Sequence, residues 1–337
     1  MDWTTALAAA GVGIVVGLTG MGGGALMTPV LVLLFGVPPL TAVSSDLVAA
    51  AVMKPVGSFV HLRRGTVHLK LVAVLCAGSV PAAFCGVLLA RALGDGERVQ
   101  EVIQMALGVA LLIAATGLTV RAYLRLLERA RVRDGIAAPL PQGRPHVRLR
   151  LAPTILVGIV GGLVVGMTSV GSGSLIIIAL MALYPGLRAS ELVGTDLVQA
   201  VPLVASAAIG HILFGDFSLD LTLPLLVGSI PGVWLGARLS STLPGGAIRR
   251  ALAFVLLASA LKLLGVSTPM TGLLLALTLV AAPLVWTVAR RRHGFPALAR
   301  READRESDHE SGHKSGQESS QKSGRDAGEP ETEPAAV

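Results

Sequence analysis

Charge is scarce in this chain. Of 337 residues, 15% are Asp, Glu, Lys or Arg and 4% are aromatic. A nucleic-acid-binding surface needs basic stripes interleaved with aromatics, so that partner is excluded despite a formal net charge of +7. No nucleotide-binding motif occurs, so ATP does not drive the protein directly. Cysteine is nearly absent as well. Cys76 and Cys85 share one apolar segment. At about 100° per residue they fall on opposite helix faces, so they read as small apolar residues rather than as a disulfide or a metal site. His309 and His313 carry only a weak metal signal, and no metal or cofactor is expected. The apolar runs lack the alternation of half-buried strands, which argues against a β-barrel. Met1-Asp2-Trp3 offers neither a basic n-region nor a cleavage site, so the start does not read as a signal peptide.

What the chain has is apolar length. Hydrophobic residues make up 53% of it, and the charges crowd into residues 121–150 and 289–337. The remainder contains runs of about 20 apolar residues, the length that spans a bilayer. The expected class is an all-α polytopic membrane protein with about 8–9 hydrophobic helical segments.

The apolar sequence is also duplicated. From Val16 it reads V-G-L-T-G-M-G-G-G-A-L, and from Val165 it reads V-G-M-T-S-V-G-S-G-S-L. Nearly the same shift pairs Asp46 with Asp196, His61 with His211, Gly78-Ser79 with Gly228-Ser229, and Gly86 with Gly236. Two homologous halves with glycine breaks in matching places are the mark of a secondary transporter whose site lies between the halves.

Read in order, residues 1–125 form the first repeat and 126–150 a basic linker. Residues 151–265 form the second repeat, 266–293 a further helix without a counterpart, and 294–337 a polar tail expected to be disordered. Within the repeats the helices are expected at about 39–61, 67–90, 99–124, 190–213, 219–241 and 248–264. Each repeat opens with an over-long block, 4–36 and 152–184, broken by glycine. The basic linker belongs in the cytoplasm. If block 152–184 crosses once, Arg249-Arg250 and Arg290–Arg292 fall outside, against the positive-inside rule. If it is a re-entrant hairpin, both clusters fall inside and each repeat has three crossings. Charge thus favours inverted repeats over parallel ones.

Free N–H groups at a glycine break, next to a half-helix N-terminus, suit an anion. The candidate substrate-binding residues are therefore Thr19, Gly20, Gly22, Gly23 and Gly24 in the first repeat and Thr168, Ser169, Gly171, Ser172 and Gly173 in the second. Ser45, Thr195 and Lys54 join them. Lys54 lies at membrane depth beside Pro55, and an ionisable residue there is a functional candidate. Val204 stands where the second repeat would repeat it. Asp46, Asp196, His61 and His211 are candidate proton carriers. Asp46 and His61 lie ~22 Å apart along one helix, so one small ligand cannot touch both. Each feature has a structural alternative: glycines as helix-packing contacts, aspartates as caps, histidines as loop anchors, Lys54 as an aspartate's partner.

These motifs resemble the TauE/SafE family of sulfite-exporter-like permeases. The similarity rests on G-x-T-G-M-G-G-G and its echo G-M-T-S-V-G-S-G, on S-S-D-L…K-P-V-G-S-F-V-H…R-G-T-V-H (44–68), on G-T-D-L…H…G-D-F (194–217), and on G-S-V-P and G-S-I-P-G. It covers roughly residues 5–265. The resemblance implies export of a small anion such as sulfite or a sulfonate by alternating access. Where many members have serine, this chain has Asp46 and Asp196. The alternatives kept open are a permease for a carboxylate or other non-sulfur solute, a membrane scaffold, and an intramembrane hydrolase built on Ser172. The expected partners are the small anion and the bilayer, with assembly into a homo-oligomer left open.

Overall fold

The computed structural model describes residues 2–19, 23–63, 65–93, 96–135, 149–173, 175–187, 189–215, 217–239 and 245–294. Among them are eleven helices and no strand: α1 (Trp3–Thr19), α2 (Gly24–Leu34), α3 (Pro39–Arg63), α4 (Leu69–Ala92), α5 (Glu97–Arg133), α6 (Leu151–Thr168), α7 (Leu175–Leu183), α8 (Ala189–Phe214), α9 (Leu219–Leu239), α10 (Gly245–Leu263) and α11 (Thr268–Arg292). Six of them, α4, α5, α6, α8, α9 and α11, are long and apolar enough to cross a membrane. Helix is what such sequence must form in lipid, where every backbone group needs a partner from its own segment.

Both over-long blocks are divided where glycine was read as a break. The expected segments match the helices to within a few residues, with one difference. Helix α5 runs on to Arg133, so Leu126–Arg133 of the expected linker are helical. The rest of the linker, 136–148, and the tail beyond 294 lie outside the described residues.

The chain divides into two compact units, Met1–Ala276 and Leu277–Val337. The described part of the second unit is the C-terminal portion of α11, apolar until Arg290, Arg291 and Arg292.

In the first unit the helix pairs are set by glycine. Helix α6 packs along α4: a Cβ at Gly162 would stand 2.3 Å from the backbone oxygen of Ser79. Helix α1 packs along α9 in the same manner: a Cβ at Gly232 would stand 2.3 Å from the oxygen of Ala10. Small residues let backbones approach this closely, the usual device of membrane helix pairs. The contact order gives the directions. Leu75, Ser79 and Ala83 meet Gly158, Gly162 and Gly166, so α4 and α6 are parallel. Ala6, Ala10 and Ile14 meet Gly228, Gly232 and Gly236, so α1 and α9 are parallel. Helices α3 and α8 are antiparallel: Ser44 meets His211, and Ser58 donates to the Leu197 carbonyl at 2.9 Å. Helix α5 packs on α10.

Candidate functional site

The two breaks meet. Gly24, the first residue of α2, packs so closely on the segment after α6 that a Cβ would lie 2.1 Å from the Ser169 backbone oxygen. Glycine is required there by approach. In the second break it is required by conformation: Gly171 and Gly173 have φ of 129° and 104°, and Ser169 itself is left-handed at φ 59°. These turns open the chain between Thr168 and Leu175 and lead it through the core beside α3 and α8.

From Ser169 to Gly173 the segment passes three ionisable groups in turn. Ser169 Oγ donates to Asp46 Oδ2 at 2.7 Å. Lys54 Nζ donates to Ser172 Oγ. The Gly173 N–H donates to the Asp196 carboxylate. From α2, Thr28 Oγ1 also donates to Asp46 Oδ2, at 2.9 Å. Asp46 and Asp196 are essentially sealed from solvent, and Lys54 and Ser172 are buried.

Lys54 interacts electrostatically with both aspartates, and Arg121 of α5 with Asp196. Among the described residues neither carboxylate is in ion-pair contact with Lys54; the contact pairs are His68–Glu191 at 3.4 Å and Arg133–Asp134 at 2.9 Å. Among the described residues each aspartate also keeps one buried oxygen, Oδ1, without a hydrogen-bond partner. An unpartnered carboxylate oxygen at this depth is costly.

The other candidates spread outward. Thr168 Oγ1 donates to the Val164 carbonyl at 2.7 Å and accepts from the Val170 N–H at 3.2 Å, so its hydroxyl serves its own backbone. Gly23 caps α2, its carbonyl accepting from Met27 at 2.9 Å. Ser45 Oγ reaches the Ser218 carbonyl at 3.5 Å, and Thr195 Oγ1 accepts from the His68 N–H at 3.1 Å. His61 meets Thr66 at 3.0 Å, while His211 meets Ser44 and the Gly166 carbonyl, each at 2.8 Å. Gly20, Gly22 and the side chain of Thr19 lie outside the described residues.

Three contributors escaped the sequence reading. Thr28 sits in a run with no other polar side chain nearby, which was its only signal. Arg121 falls within the expected helix 99–124 and counted only as the edge of the charge-rich stretch 121–150. Gln199, one turn beyond Asp196, is fully buried; its Nε2 donates to Ser79 Oγ at 2.6 Å and its Oε1 has no partner. Cys76 and Cys85 are free thiols.

Residues 5–263 match the family model described as "Sulfite exporter TauE/SafE". A Bacillus subtilis protein named "Probable membrane transporter protein YjnA" is 39% identical over 254 residues, covering 75% of this chain and 96% of its own length. A second, "Probable membrane transporter protein YdhB" from the same organism, is 25% identical over 240 residues, covering 71% and 91%. No solved structure matches.

Proposed function

We propose that this chain, which belongs to the TauE/SafE sulfite exporter family, is a secondary transporter that moves a small oxyanion, sulfite or a sulfonate, out of the cell. The protein is a multi-pass protein of a bacterial membrane. The observation that carries the anion reading is Lys54, a buried cation held where the two broken segments meet. An arriving oxyanion would replace the Ser172 hydroxyl on the ammonium and draw on the hydroxyls and N–H groups of the break.

Alternating access follows from a two-repeat reading. Helix α3 and its counterpart α8 are antiparallel, as inverted repeats require. The first helix of each repeat packs on the third helix-bearing segment of the other, α1 on α9 and α6 on α4, through corresponding glycines. Rocking one repeat on the other would then open the site to either side.

Flux in proteoliposomes tests this. Sulfite, sulfate, thiosulfate and short organosulfonates would be compared, with Lys54→Ala as control. Flux of one anion, abolished by Lys54→Ala, is expected. No sulfur-anion flux would reject the substrate class and direct the assay to carboxylates.

One other reading has an observation of its own. Lysine bonded to serine matches the nucleophile of serine–lysine hydrolases. The adjacent Gly173 N–H, the natural oxyanion donor, is committed to Asp196. No labelling of Ser172 by a fluorophosphonate probe is therefore expected; stoichiometric labelling would establish the enzyme reading.

A further inference from the structure

We propose that Asp46, and not Asp196, carries a proton with the transported anion, and that the segment Ser169–Ser172 couples the two. This rests on the anion-transport reading above. The two aspartates correspond in the repeats, but their surroundings differ. Asp196 interacts with two cations, Lys54 from α3 and Arg121 from α5, and accepts the backbone N–H of Gly173. Asp46 interacts with one cation, Lys54 of its own helix. Its remaining support is two hydroxyls, Thr28 from α2 and Ser169 from the break, both on Oδ2. Among the described residues Oδ1 has no partner in either aspartate, so either offers a site for one proton, and the two displaceable hydroxyls on Oδ2 are what set Asp46 apart.

The support from Ser169 is tied to the cation. Ser169 and Ser172 belong to one short segment, and Ser172 is the hydrogen-bond partner of Lys54. An anion that binds Lys54 displaces Ser172, and the shift of the segment withdraws the Ser169 hydroxyl from Asp46. The carboxylate loses one of its two donors just as a further negative charge enters the site. A proton then bonds to a lone pair of Oδ1, and the acid becomes neutral. No other bond is made or broken. Release of the anion returns Ser172 to Lys54 and Ser169 to Asp46, and the proton leaves. Anion and proton therefore travel together, as a symport.

Infrared difference spectroscopy on the reconstituted full chain tests this, with methanesulfonate or sulfite perfused over the film. The expected result is a protonated-carboxyl band that appears with the anion in the parent and in Asp196→Asn, and is missing in Asp46→Asn. A band lost in Asp196→Asn instead would overturn the assignment, and so would amide-band changes on anion binding with no carboxyl band. Should Asp46→Asn fail to fold, Ser169→Ala decides: its carboxyl band should be present before any anion is added. A band in Ser169→Ala that still depends on the anion as in the parent would refute the coupling. If neither anion perturbs the parent spectrum at all, the anion-site reading itself fails and takes this assignment with it.

Discussion

His211 of α8 and Ser44 of α3 meet at 2.8 Å across the antiparallel crossing of their helices, and the other ring nitrogen of His211 meets the Gly166 carbonyl at 2.8 Å. Nε2–H donates to that carbonyl, and Nδ1 meets the Ser44 hydroxyl, which itself donates to the Leu40 carbonyl at 2.8 Å. One fully buried side chain thereby joins α3, α8 and α6. Its replacement by alanine takes the side-chain donor from the Gly166 carbonyl and leaves Ser44 only its bond to the Leu40 carbonyl. His211→Ala should lower stability by about 1–3 kcal/mol, read by thermal or denaturant unfolding of the purified protein. The pH profile of transport by the folded fraction should keep its shape. A changed profile would return His211 to the proton path.

The glycine crossings predict a graded series. Gly162→Ala and Gly232→Ala each place a Cβ 2.3 Å from a backbone oxygen, where no side chain can yield. Each should cost about 1–3 kcal/mol by forcing helices apart. Gly11→Ala and Gly272→Ala, with no atom within 4 Å of the added Cβ, should be neutral or slightly stabilising. Melting temperatures of the four variants check the order.

Lys54 predicts a rescue of folding without a rescue of transport. Lys54→Met leaves two buried aspartates without their shared cation, and removing one partner from a buried charge group costs about 3–5 kcal/mol. Adding Asp46→Asn and Asp196→Asn should restore much of the folded yield, measured by monodisperse elution. Anion flux should stay absent in the triple variant. Flux that returned with the fold would make Lys54 a structural partner only.

The two-repeat reading predicts opposite faces for corresponding residues. Lys70 opens α4 and Asp220 opens α9, and both are exposed. Cysteines at these positions, in a Cys76→Ala/Cys85→Ala background, should react with an impermeant maleimide from opposite sides of the membrane. Labelling from the same side would reject inversion.

At the start of the chain, Asp2 caps α1. Its carboxylate accepts from the Thr4 N–H at 3.0 Å and from the Thr4 and Thr5 hydroxyls at 2.6 Å each. The Thr4 hydroxyl first, then that of Thr5, lowers the Asp2 pKa from 3.8 to about 2. A depressed folded pKa means the cap is fully present above pH 3.8 and is lost as pH falls through about 2. Amide exchange at Thr4–Ala6 should accelerate over that window relative to an Asp2→Ala variant, which should show no such step.

The apolar runs alone determined that this chain is a bundle of membrane helices, because lipid leaves the backbone no other economy of hydrogen bonds. Their duplication marked Asp46, Asp196 and the two breaks as candidates, and membrane depth marked Lys54. What lay beyond reach was pairing across distant sequence. Thr168 and Ser169 are adjacent and equally polar, yet one hydroxyl turns back to its own helix and the other crosses to Asp46; the left-handed turn at Ser169 decides it. The partners of His61 and His211, Thr66 five residues on and Ser44 across the α3–α8 crossing, were likewise not legible from spacing. Arg121 and Thr28 became part of the site only through folding. A helix face is local and can be read from spacing, but the neighbour it meets depends on which glycines let which backbones touch, and only the packed structure holds that information.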